Sequence, residues 1–176
     1  YMTTEKRRIL FKSFVESQFG YCPLVWMFHN RDLEHKINKL HERVLRIVYN
    51  NDQLSFHELL KLDNSFTIHH KNIQKLVIEV YKSIHDLSPS FMKSIFVDSE
   101  YAGPKLRNQK QFHIPNVNNT YKGEESLTAF APRIWKLVPN ELKYINAINK
   151  FKIEVQKWQP IKCPCRLCKD YEAGLG

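Results

Sequence analysis

Leu33-Glu34-His35-Lys36-Ile37-Asn38-Lys39-Leu40-His41-Glu42-Arg43-Val44-Leu45-Arg46-Ile47 is the stretch that decides the fold. Leu33, Ile37, Leu40, Val44 and Ile47 recur at spacings of four, three, four and three, which a helix winds into one apolar stripe. Lys36, Lys39, Arg43 and Arg46 each stand one position before a stripe residue, about 100° round the helix. They draw a basic ridge along the edge of the predicted core. Such a ridge can follow a phosphate backbone. Long stems that border a core while their charges stay in water make the same pattern, and the sequence leaves both readings open.

Outward from this helix the punctuation is mostly helical. Residues 4–19 read as a helix with Ile9, Leu10, Phe14 and Phe19 inward and a left-handed cap at Gly20. Ser55-Phe56-His57-Glu58 has the reciprocal cap of a helix start. Thr67–Leu87 repeats the stripe through Ile73, Val77, Val80, Ile84 and Leu87. After residue 98 the texture changes to Gly103-Pro104, Pro115 and the Asn-rich 116–119, which is loop or hairpin composition. Two further helices are expected over 124–136, where Pro132 weakens the pattern, and over 146–158. Trp135 and Trp158 serve there as core anchors. The fold class this predicts is mainly α: a helical bundle over 1–98, a small α+β or loop-rich subdomain with two helices over 99–160, and a Cys-containing tail over 161–176.

Composition narrows the function. The 176 residues carry 27 Lys and Arg against 18 Asp and Glu, a net charge of +9, so the surface draws polyanions at long range. The excess sits toward the ends, with nine basic against five acidic residues over 1–50 and eight against three over 101–150. The apolar runs are too short for a membrane helix and no secretory leader is evident, so the expected location is intracellular and no membrane partner is expected.

A search for catalytic chemistry finds little. The five glycines form no phosphate loop, and His57-Glu58 is followed by Lys61 where a zinc protease helix needs its second His. His35 and His41 are too far round one helix to share a metal, and His69 and His70 point to different sides. Each His reads as a surface or boundary residue. The tail is different: Cys163, Cys165 and Cys168 put three thiols within six residues, and Cys165-x-x-Cys168 has zinc-ligand spacing. A fourth ligand would have to come from Cys22, from a distant His or from another chain. Free thiols in a tail are the plainer alternative.

Taken together, several phrases resemble a known family. Tyr21-Cys22-Pro23-Leu24-Val25-Trp26 and Lys39-Leu40-His41-Glu42-Arg43-Val44-Leu45-Arg46-Ile47-Val48-Tyr49 come first. Leu106-Arg107-Asn108, Phe130-Ala131-Pro132-Arg133-Ile134-Trp135, Leu137-Val138-Pro139, Phe151-Lys152 and Trp158-Gln159-Pro160 with the Cys tail follow in order. The series resembles the C-terminal thumb and post-thumb region of reverse transcriptases from non-LTR retrotransposons, the jockey-like mobile elements.

The resemblance implies a piece of an RNA-directed DNA polymerase whose helical thumb grips the RNA template and DNA primer by their backbones, in the nucleus. The family's catalytic aspartates belong to an upstream palm motif that has no counterpart in this sequence. Catalysis, and the magnesium that serves it, would therefore lie in an absent polymerase domain, which becomes a partner. The nucleic-acid contacts it implies are Lys36, Lys39, Arg43, Arg46, Arg107 and Arg133. The alternative is a helical protein-interaction module that docks on that polymerase domain or another partner.

Overall fold

The computed structural model describes residues 2–93, 95, 123, 126–159, 163 and 165. It is mainly helical, with no strand among the described residues. None of the helices described is long and apolar enough to cross a membrane. The change of texture expected after residue 98 lies outside the described residues. Two compact units divide the chain, Tyr1–Asn72 and Ile73–Gly176.

In the first unit, α1 (Thr4–Leu10) runs on through a π-helical segment, Phe11–Glu16, into α2 (Ser17–Phe19). A π turn takes in an extra residue, so a wheel of 3.6 residues per turn drawn across this helix misplaces its faces. Ile9, Leu10 and Phe14, expected inside, are exposed; Phe11 is buried instead, with Val15 packed beside it. Gly20 is right-handed, and the left-handed residue is Cys22 at φ 42°. Pro23 then opens α3 (Pro23–Trp26), at a position where its missing N–H costs nothing.

The helix that decides the fold, α4, spans Arg31–Tyr49. Asn30 caps it by accepting from the Leu33 N–H at 3.0 Å, and Asn50 ends it in a left-handed turn at φ 51°. Its buried residues are Ile37, His41, Leu45 and Val48. The apolar stripe read from the sequence is thus turned toward His41, which leaves Leu33, Leu40 and Ile47 exposed. The reason is aromatic packing. The His41 ring stacks on Phe11 at 5.7 Å and meets Phe56 edge-on at 5.4 Å.

Next comes α5 (Phe56–Asp63), whose reciprocal cap forms as expected: the Ser55 hydroxyl accepts from the Glu58 N–H while the Glu58 carboxylate accepts from the Ser55 N–H at 2.8 Å. The core of this unit is Phe11, Leu45, Val48, Leu59 and Leu60. Ser55→Ala is expected to lower the free energy of unfolding in urea by about 1 kcal/mol. An unchanged midpoint would show that α5 is held by its packing alone.

Continuous α6 (Ile68–Ile84) crosses the divide between the units. After α7 (Ser90–Lys93), the second unit adds α8 (Leu127–Leu137), α9 (Asn140–Lys143) and α10 (Ile148–Lys157). Pro132 sits inside α8 without ending it. Ile73, Val77 and Val80 are buried as the stripe requires, and so are Leu76 and Tyr81. The Tyr81 ring stacks on Phe151 at 4.0 Å while its hydroxyl donates to the Ile145 carbonyl at 2.8 Å. Gln74 ties the end of α10 to α6, donating to the carbonyls of Trp158 at 2.8 Å and Gln156 at 3.2 Å. Trp135 is buried as an anchor, whereas Trp158 is only half-buried.

Candidate nucleic-acid interface

Burial of Ile37 and His41 fixes the rotation of α4 and therefore the direction of its cations. On a helix of 100° per residue, Lys36 and Arg43 fall within about 20° of each other and Lys39 lies about 40° further round. All three are exposed and have no hydrogen-bond or ion-pair partner among the described residues. Between them and the buried face runs the exposed row Leu33, Leu40 and Ile47. One side of α4 thus offers a strip of cations beside a strip of aliphatic carbon.

Arg46 differs from the other three. Its Nη2 meets the Glu42 Oε1 at 2.7 Å one turn back, and its Nη1 donates to the Asp52 carbonyl. It fastens the end of α4 to the following loop. Arg133, on α8 in the second unit, is half-buried and engaged by neighbouring groups. Arg107 lies outside the described residues.

The start of α4 is braced through charge. His29 faces the Trp26 carbonyl with Nδ1 at 3.0 Å and the Glu34 Oε2 with Nε2 at 2.7 Å. Both neighbours only accept, so the ring can serve both at once only when each of its nitrogens carries a proton. Burial pushes the Glu34 carboxyl up, but the bond from His29, the charge of His69 and the bond from Asn38 together hold it below its ordinary value. A negative Glu34 in the first turn also suits the helix dipole.

The tail cysteines are the second candidate. His69, on the first turn of α6, belongs to the first unit, and Cys163 and Cys165 belong to the second. His69 and Cys163 are buried and Cys165 is half-buried. Of the three tail cysteines read as ligands, Cys163 and Cys165 are brought together, and Cys168 lies outside the described residues. Cys22, the other cysteine considered as a ligand, is exposed.

The sequence neighbourhood of His69 does not single it out as a buried residue, because an adjacent His pair suggests divergent surface side chains, yet it is buried. A signal is present nonetheless. Four residues before Ile73, on the line of the Ile73, Val77, Val80 stripe, stands His69, which places it on the buried face of α6. His41 is the same case on α4, where the step of four from Ile37 passes through an imidazole.

Comparison with models of known families, with curated proteins and with solved structures returns no match.

Proposed function

We propose that this chain is a non-catalytic, thumb-like fragment of a non-LTR retrotransposon reverse transcriptase that grips template and primer nucleic acid by the phosphate backbone, with a nuclear location. The observation that carries the reading is the exposed, unbridged trio Lys36, Lys39 and Arg43 on one side of α4. A cation already neutralised by a carboxylate has little to offer a phosphate, and these three are not so neutralised among the described residues. Arg46 contributes indirectly, by holding the end of α4. The ordered resemblance of the sequence and the net charge of +9 support the same partner class.

Backbone binding releases counterions, so affinity for an RNA/DNA hybrid should fall steeply with salt and depend little on base sequence. In the pair Lys39→Ala with Arg43→Ala, the slope of log affinity against log salt is expected to shrink by about two. Both side chains are exposed, so the helix itself should be undisturbed. Wild-type chain that fails to retain the hybrid at low salt, or a slope left unchanged in the double variant, would remove this reading.

A second reading has its own observation. Leu33, Leu40 and Ile47 on α4, and Leu10 and Phe14 ahead of it, are exposed large apolar residues, as expected of a module that docks on a polymerase domain. Leu40→Ser with Ile47→Ser would then abolish association with that domain while leaving the salt slope for nucleic acid intact.

For the tail cysteines, Cys163, Cys165 and Cys168, the metal we propose is zinc. Thiolates are soft donors that suit zinc and suit magnesium or calcium poorly.

A further inference from the structure

We infer that α4 is a docking site for an acidic amphipathic helix of a partner protein; this rests on the second reading above and names the chemistry of the partner. The apolar positions of α4 alternate at steps of four and three over two heptads, the pattern of a helix that packs lengthwise on another. Its two rows have different fates. Ile37 is buried and Val44 is packed against the core of the first unit, whereas Leu33, Leu40 and Ile47, each seven residues from the next, are exposed. With the exposed row written as d, Ile37 and Val44 take a, and Lys36 and Arg43 take g. Position e falls on Glu34, half-buried, and His41, buried. The chain's own core thus occupies the a and e side of α4, and a partner helix is left the d and g side, along roughly 21 Å of its length.

The cations say what that helix carries. Charges at g choose a partner by pairing with its flanking charges, and Lys36 and Arg43 are exposed with no ion-pair partner among the described residues. Carboxylates beside the partner's apolar row complete both pairs. A second copy of this chain does not supply them. Two antiparallel α4 helices set g against g, cation on cation, and in a parallel pair the e positions after Lys36 and Arg43 are His41 and Val48, both buried and neither acidic. Lys36 and Arg43 also belong to the phosphate trio, so the acidic helix and a nucleic-acid backbone would compete for this side of α4.

The experiment titrates the full chain into two fluorescein-labelled three-heptad peptides at about 0.15 M salt, read by anisotropy. Both peptides have Leu at a and d; one has Glu at every e and g, the other Lys. The Glu peptide should bind at least about tenfold more tightly than the Lys peptide. Leu40→Ser with Ile47→Ser should weaken the Glu peptide at least about tenfold, and Lys36→Glu with Arg43→Glu should reverse the preference. All four side chains are exposed, and far-UV circular dichroism checks that each variant is folded. Neither peptide binding overturns the inference, and the association test with the polymerase domain then decides the second reading by itself. A Glu peptide that binds the Leu40→Ser, Ile47→Ser variant as well as wild type overturns the inference too. Equal binding of both peptides, lost in that variant, leaves the apolar docking of the second reading standing and overturns the acidic partner. Sedimentation showing a wild-type dimer that the same variant dissociates would assign the row to a second copy and likewise overturn it.

Discussion

Asp63→Ala should lower the free energy of unfolding by about 2–3 kcal/mol, the largest effect expected of a single polar side chain in the first unit. Asp63 is the last residue of α5 and is 1% exposed. At the negative end of a helix dipole a buried carboxylate is in an unfavourable place, so its presence there has to be offset. Two helices offset it: the Oδ1 accepts from Arg8 Nε at 2.6 Å and from the Tyr49 hydroxyl at 2.7 Å, and Arg8 also donates to the Asp63 carbonyl at 2.5 Å.

Burial pushes the Asp63 carboxyl up, yet the bonds from Tyr49 and Arg8 outweigh it and hold the group below its ordinary value. Breaking a fully buried pair by removing one member costs roughly 3–5 kcal/mol. Because the Arg8 side chain is 37% exposed, water screens part of that interaction, which brings the expectation down. Asp63→Asn keeps one acceptor for Tyr49 and should lose about half as much. Urea unfolding at neutral pH reads both, and a cycle with Arg8→Ala should show coupling of about 1 kcal/mol. If Asp63→Ala stayed within about 0.5 kcal/mol of wild type, the range of ordinary surface substitutions, the cluster would contribute nothing to holding α1, α4 and α5 together.

How far the sequence alone reaches is clear from α4. Its existence, its Asn30 start and its basic ridge are legible because spacing and capping are local properties. Its rotation is not, because which of two neighbouring stripes faces inward is decided by Phe11 and Phe56, which meet His41 from elsewhere in the chain. A hydropathy count scores His41 as polar and Leu40 as apolar, and tertiary packing reverses them. The same limit hides the burial of His69, which an adjacent His pair does not announce. Arg46 shows the converse. Its partner Glu42 lies four residues back, a spacing that favours an ion pair on any helix, so its withdrawal from the ridge is readable without the structure.

The rotation of α4 has a price that acid should expose. His41 is 1% exposed, and neither ring nitrogen has a hydrogen-bond partner among the described residues. Burial, with Lys71 adding to it, pushes the imidazole down to about 4 from its usual 6.5, with Glu16 and Asp63 opposing weakly. The folded chain therefore keeps His41 neutral where the unfolded chain would protonate it. Between pH 6.5 and about 4 the unfolded state binds more protons, so stability falls as pH falls through that window, and it levels off below it. The full difference is worth about 3 kcal/mol. Asp63 and Glu34, both held low, lose their contributions as pH falls below their ordinary values of 3.8 and 4.5, so most of the His41 decline comes before theirs. His41→Leu removes the titrating group and the two unsatisfied nitrogens together. It should raise stability at neutral pH by about 1–2 kcal/mol and flatten the wild-type decline across the same window, read as the difference between the two proteins in urea unfolding at each pH. A variant that declines in parallel with wild type there would place the imidazole in contact with water, and with it the inward face of α4 on which the direction of Lys36, Lys39 and Arg43 depends.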